Sequence, residues 1–308
     1  MGRYLLRRIL QMIPVVLGTT LLIYALVFLM PGDPVAAMFG AKPVQPAVAA
    51  QIRAEYNLDK PFIIQYLLFL KNALTFNFGK TFSGQQVLAV IGRAFPVTVK
   101  LAIMAFVFEA VFGVVFGIIS GLKKGKWYDT VILVISLLLI SVPTFVTGFV
   151  MQYFLGVQWH LLPITAGPNP GFLDLLMPAM VLGSVSMASI IRLTRSEITA
   201  NIAEDYVRTA RAKGMSNKMV VLRHVLRNSL IPVVTYLGAD LGALMGGAMI
   251  SERIFNIQGI GNTLYQAINR GEGTLVVSIV TLMVLIFVVC NLIVDMLYAV
   301  LDPRIRYQ

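Results

Sequence analysis

Cysteine and histidine are almost missing from the chain: Cys290 is its single cysteine, and His160 and His224 are its two histidines. One thiol excludes a disulfide within the chain and any cysteine-based zinc motif, and two histidines argue against a metal site. Charge is scarce too. Only 13% of residues are charged while 58% are hydrophobic, so there is too little polar surface to cover a soluble globule, and the chain belongs in lipid. Nucleotide and catalytic signatures are also lacking. Gly79-Lys80-Thr81 looks like the end of a phosphate-binding loop, but Leu74 stands where that loop needs glycine. Gly259-Ile260-Gly261 meets Leu264 in place of a third glycine, and Gly183-Ser184-Val185-Ser186 ends on Met187, not the glycine of a nucleophile elbow. No His-Glu-x-x-His occurs. If nucleotide is consumed, another chain supplies the site.

The abundant feature is apolar runs of membrane-crossing length. Arg3, Arg7 and Arg8 precede a run from Ile9 to Met30, about 33 Å long as a helix, enough to cross the hydrocarbon core. It ends in Pro31-Gly32-Asp33-Pro34 and is too long for a signal peptide, so it reads as a span. The following segment to Pro96 is polar and turn-rich. Within it, Pro61–Leu70, flanked by Lys60 and Lys71, is too short to span and predicts an interfacial amphipathic helix or a re-entrant segment. Five more spans are expected at about 97–121, 130–157, 175–193, 229–250 and 274–301, six in all. The chain thus divides into 1–96, a first span with an extracytoplasmic segment, and 97–308, a five-helix core with a cytoplasmic loop at 194–228.

The formal charge of +11 suggests nucleic acid until its placement is examined. With a cytoplasmic amino terminus, the inside loops collect Arg3, Arg7 and Arg8, then Lys123, Lys124 and Lys126, then a cluster from Arg192 to Arg227, then Arg304 and Arg306. That is the positive-inside pattern, which puts both termini in the cytoplasm and removes the case for nucleic acid. The densest inside stretch is Ala203 to Ser216. Asn201 can cap a short helix there, Glu204 and Asp205 suit its first turn, and Arg211 and Lys213 its last. Glu204 and Arg208 are spaced to pair at i,i+4. Gly214 supplies a left-handed exit, and Ser216 can cap a second helix through Asn228, basic at Lys218, Arg223 and Arg227. Such a knob serves either as a handle for a soluble motor or as a basic face on anionic lipid.

Glu109 and Asp240 fall near the middle of the second and fifth spans, and Asp295 near the cytoplasmic end of the sixth. A carboxylate there is protonated, paired or wetted, so each is either a packing hydrogen bond or part of a solute path. Pro143, Pro178, Gly183, Gly238, Gly242, Gly246 and Gly247 punctuate the later spans, which permits close packing or moving breaks.

The knob also resembles the cytoplasmic loop of binding-protein-dependent importer permeases of the ATP-binding-cassette class, whose pattern is Glu-Ala-Ala, three residues, Gly, nine residues, Ile-x-Leu-Pro. Arg208-Thr209-Ala210 takes the first triplet, Gly214 the glycine and His224-Val225-Leu226-Arg227 the closing quartet. Ala210, Gly214 and Leu226 match; the glutamate, isoleucine and proline do not. The departures are similar to those of the peptide-importer branch. So are Arg7-Arg8-Ile9 leading to Pro31-Gly32-Asp33-Pro34, Asn57-Leu58-Asp59-Lys60-Pro61, Glu252-Arg253-Ile254-Phe255 with Gly259-Ile260-Gly261, and the ending Asp302-Pro303-Arg304-Ile305-Arg306.

The resemblance implies an all-α polytopic fold of the type I importer permeases, in a bacterial cytoplasmic membrane. It implies a second homologous permease, two cytoplasmic ATPases or a fused pair that bind ATP and Mg, and an extracytoplasmic binding protein that delivers solute. The short loop helix would be the coupling helix, with Glu204, Tyr206, Arg208, Thr209, Ala210, Lys213 and Gly214 meeting the ATPase. Loss of the motif glutamate leaves Arg208 to meet an acidic partner. The long first outside segment and Ser251–Gly273 would face the binding protein. A proton-coupled secondary transporter using Glu109 and Asp240 is the rival, and relatives carrying dipeptides, longer peptides, nickel chelates or glutathione leave the solute open.

Overall fold

The computed structural model describes residues 2–29, Val35 and 45–301. The segments Pro31-Gly32-Asp33-Pro34 and Asp302–Arg306, and the side chain of Asp295, lie outside the described residues. Among the described residues the regular elements are all helices, with one isolated bridge between Lys80 and Gln86. Five helices are long and apolar enough to cross a membrane, or six if one bent pair counts as a single crossing.

The chain partitions into two compact units, the first holding residues 99–257 and the carboxyl-terminal part from 290, the second holding 2–98 and 258–289. Helices α4 (Val87–Leu122) and α12 (Gly273–Leu301) contribute to both.

In the second unit, α1 (Gly2–Phe28) carries Tyr24 into a cluster with Phe28, Phe62, Tyr66 and Phe69, ring centroids 4.5 to 5.8 Å away. The short apolar run is helical. It forms α3 (Phe62–Leu74), which follows α2 (Pro46–Glu55) and lays Phe62, Tyr66, Phe69 and Leu70 against α1 and Val277 of α12. The buried Tyr66 hydroxyl is satisfied at once: it lies 3.0 Å from Thr20 Oγ1 and donates to the Leu17 carbonyl at 3.0 Å. Further on, α11 (Ile260–Asn269) starts from a backbone N–H donated to Thr98 Oγ1 at 2.8 Å. An open hollow lined by Phe76, Asn77, Phe78, Gly79, Gln86, Leu88 and Ala89 lies in the turn-rich segment.

The first unit is built around α7 (Phe172–Ile202). Two thirds of its most apolar stretch is buried, against 28% or less for the other long helices, so α7 is the hub on which the rest pack. Glycines set its contact with α4. A Cβ on Gly113 would come within 2.7 Å of Ile190, one on Gly117 within 2.5 Å of Thr194, and one on Gly121 within 2.9 Å of Ile198. These contacts recur in the same order along both helices, so α4 and α7 run parallel, and only glycine permits so close an approach.

The expected third span is not straight. It is α5 (Trp127–Ser141) and α6 (Thr144–Met151, continued by a wide π turn over Gln152–Gln158), bent by 107° at the Val142-Pro143 break. Proline at 143 removes a backbone donor and pushes Val142 into extended geometry, which ends α5 there. The buried Gln152 amide then donates to the carbonyls of Ile164 at 2.8 Å and Ile254 at 3.2 Å, fixing the far end of α6.

Candidate functional site

Two candidate sites are expected from the sequence, the loop at 194–228 and the carboxyls within the spans, and both fall in the first unit. The loop begins with α8 (Asp205–Ala212) and continues through α9 (Asn217–Val220) and a π turn (Val221–Val225) into α10 (Leu226–Ile254). The second helix therefore does not end at Asn228; it runs on into a long span.

Helix α8 has one apolar side. Val207 and Ala210 stand three residues apart, share a face, and are buried against Ile198, Val220 and Val225, with Ile118, Ile202, Met215 and Leu226 around them. The π turn has a purpose in this packing. Five residues of ordinary α-helix would point Val220 and Val225 well apart around the axis, whereas a turn closed by i to i+5 bonding aligns residues of that spacing. Both then reach the α8 core.

The opposite side is polar and exposed. Glu204, Asp205, Arg208, Thr209, Arg211 and Lys213 all project into solvent, and Tyr206 is at the edge. Ala210 is the exception among the expected contact residues, since it lies beneath the helix, not on its outer face.

The expected caps and pair are different. The residue before the first turn is Glu204, in extended backbone and without a side-chain capping bond. Asn201 is not the cap because α7 extends through Ile202 and keeps it helical. Its amide donates to the Glu197 carbonyl at 2.9 Å, and its Oδ1 accepts the Tyr206 hydroxyl, which ties the end of α7 to α8. Ser216 occupies the cap position of α9 but also makes no side-chain capping bond. Arg208 approaches Asp205 at 3.5 Å, at i,i+3, not Glu204, and both side chains are largely exposed. Choosing between two neighbouring carboxylates at a solvated surface costs tenths of a kcal/mol, so spacing alone cannot decide it.

The glycine exit is present in detail. Gly214 has φ of +78°, its N–H donates to the Arg211 carbonyl at 3.0 Å, and the Met215 N–H donates to Ala210 at 3.3 Å. That is a Schellman motif, and Met215 adds its apolar contact with the α8 core. Nothing lies within 4 Å of where a Cβ would sit on Gly214. Glycine is required here by the backbone angle and not by crowding.

The intramembrane carboxyls come together. Glu109 on α4 is fully buried and faces Asp240 on α10, but neither Glu109 oxygen nor Oδ2 of Asp240 has a hydrogen-bond partner within 3.5 Å among the described residues. Phe106, Ala110, Val233, Tyr236 and Leu237 pack on the neighbouring turns. No group of three or more metal-ligating side chains occurs among the described residues. The Gly113, Gly117, Gly121 stripe was overlooked in the sequence, although its four-residue spacing within an apolar run is a readable packing signal.

Residues 113–307 match the family described as the binding-protein-dependent transport system inner membrane component, and residues 1–102 match that system's amino-terminal membrane component. The chain belongs to this family of transport permeases. Over its full length it is 33% identical to the dipeptide transport system permease protein DppB of Escherichia coli K12, aligned over all of both chains. It is 36% identical to the di/tripeptide permease DppB of Pseudomonas aeruginosa, over 99% of each, and 34% identical to the glutathione permease GsiC of Salmonella typhi, over all of both. The fold is similar to that of a chain in the inward-facing methionine transporter MetNI, with a TM-score of 0.59 at 17% identity, over 70% of this permease and 97% of that chain.

Proposed function

We propose that this permease is a membrane subunit of an ATP-driven importer of peptides, in which α8 couples closure of an ATPase pair to alternating access. The observation that carries this reading is the full-length similarity to permeases named for dipeptide, di/tripeptide and glutathione transport. The polar outer face of α8 supports the coupling role: an eight-residue helix held by one apolar side presents its other side to a soluble partner. ATP and Mg are bound and hydrolysed in two ATPase subunits or a fused pair, a second homologous permease completes the path, and an extracytoplasmic binding protein delivers the solute. This chain performs no catalysis, and it binds membrane lipid but no nucleic acid.

The protein sits in a bacterial cytoplasmic membrane with six crossings and both termini inside. Support for six comes from direction. Because α4 and α7 run parallel, the chain between them must return across the bilayer, so the bent α5–α6 pair counts as one crossing. Glu109 and Asp240 border the solute path in this reading, as a pair of carboxyls facing each other between two spans. The same pair is the one observation favouring proton coupling, the second reading.

Reconstitution separates them. Proteoliposomes holding the complete complex are expected to take up di- or tripeptide only with binding protein outside and ATP in the lumen. Uptake by the permeases alone, driven by an imposed proton gradient, would establish the rival.

A further inference from the structure

A buried polar cluster inside the first unit is centred on Asp129. The Asp129 carboxylate, nearly fully buried in the first turn of α5, accepts four hydrogen bonds. Ser120 Oγ of α4 donates to Oδ1 at 2.6 Å, and the Gly125 N–H of the α4–α5 turn donates to Oδ2 at 2.9 Å. Arg195 of α7 supplies the other two as a fork, Nε to Oδ1 at 2.6 Å and Nη2 to Oδ2 at 2.8 Å. One carboxylate thus holds α4, the following turn, α5 and α7 together. Charge-assisted, two-pronged bonds of this kind fix both distance and orientation.

The location gives the cluster its meaning. Arg195 lies two turns before the end of α7, beyond which only Ala203 and Glu204 separate α7 from α8. So short a joint would hinge under load unless both sides were braced. One brace is the apolar core in which Ile198 of α7 and Ile118 of α4 meet Val207 and Ala210 of α8. Ile198 is also the residue against which Gly121 packs, so the α4–α7 glycine contact runs directly into that core. The ionic fork closes the same block from the α5 side.

We propose that Arg195 and Asp129 are a positioning pair that makes α4, the start of α5, the end of α7 and the coupling helix α8 one moving body. A displacement imposed on α8 by the ATPase is then delivered to the spans and not absorbed at the α7–α8 joint. The proposal rests on the importer reading above.

The test uses the assembled complex in proteoliposomes, with Cys290→Ser removing the native thiol and spin labels on Lys123→Cys and Arg211→Cys, two exposed positions on either side of the block. The expected result is one narrow distance distribution that stays the same with and without nucleotide. Arg195→Lys, which keeps the charge but loses the fork, is expected to at least double its width. Uptake should fall at least tenfold while ATP hydrolysis continues, so that solute moved per ATP falls by a similar factor. Arg192→Ala, an exposed charge one turn earlier, should change neither. Asp129→Asn, which retains side-chain volume, decides the matter if the Arg195 variant does not assemble. An unchanged narrow distribution in both variants overturns the proposal, as does a parallel fall of uptake and hydrolysis. A wild-type complex without ATP-dependent uptake would instead refute the importer reading, and the distance measurement would still judge the clamp.

Discussion

Val207→Ala is the most informative single change to α8. Val207 is fully buried, and it is the larger of the two α8 side chains that reach the core shared by α7, α9 and the π turn. The substitution deletes two methyl groups, worth about 1.6 kcal/mol in transfer free energy, and the space left behind adds to that, for a total of about 2 to 3 kcal/mol. An eight-residue helix has almost no stability of its own in water, so nearly all of the loss falls on docking. At 1.4 kcal/mol per factor of ten, the undocked population of α8 should rise roughly 30- to 140-fold. Hydrogen–deuterium exchange on the purified complex reads this directly. The amides of Val207, Arg208 and Lys213, bonded within the helix at 3.0 to 3.3 Å, should lose protection by that factor, while amides in the α4–α7 contact stay unchanged. Peptide uptake should fall with the α8 protection. If α8 amides keep wild-type protection, the apolar side of α8 is not what seats it, and the reasoning from burial to coupling fails.

Other substitutions separate the remaining contributions. Gly214→Ala should destabilise the α8 exit by about 1 to 2 kcal/mol, because a side chain meets a positive φ in otherwise open space, and Gly214→Asn should recover part of it; limited proteolysis at the loop measures both. Arg208→Ala should leave thermal stability of the purified permease within about 0.5 kcal/mol, given how exposed its pair with Asp205 is, yet lower ATPase binding measured by co-purification. Glu109→Gln and Asp240→Asn should lower peptide uptake at least threefold with assembly unchanged on size-exclusion chromatography; wild-type rates in both would remove the pair from the solute path. Tyr66→Phe should cost about 1 to 2 kcal/mol by leaving a buried polar group at Thr20 with one partner fewer, detected as a lower melting temperature.

Much of the loop that carries α8 is readable from residue types, because its signals are local. Gly214 announces a left-handed turn wherever it stands after a helix with Arg211 and Lys213 in its last turn, and the alternation of Val207 and Ala210 with charged residues announces an amphipathic helix. Helix ends are less legible. Hydropathy reports the part of α7 that lipid covers, which stops near Leu193, whereas the helix itself runs to Ile202, and this is why Asn201 is helical and not a cap. Pro143 marks a break, but the 107° turn is set by what α6 packs on: Gly148 lies against Ile254 and Phe255, contacts about a hundred residues away in sequence. The π turn at Val221–Val225 changes periodicity by less than one residue and leaves no compositional trace. The fork between Asp129 and Arg195 is invisible for a related reason, since ordinary inside-loop charges and a buried ion pair have the same letters until the fold brings them together.

The central claim is that the exposed side of α8 is gripped by an ATPase on the cytoplasmic side. A single cysteine placed at Arg211, exposed on the same side of α8, in a Cys290→Ser background, carried in the assembled complex and treated with a short thiol-to-amine cross-linker, tests it most directly. The account predicts a covalent adduct between the permease and the ATPase subunit, formed only when a membrane-impermeant reagent has access to the cytoplasmic face. No ATPase adduct, or labelling of that cysteine from the extracytoplasmic side of sealed cells, would contradict it.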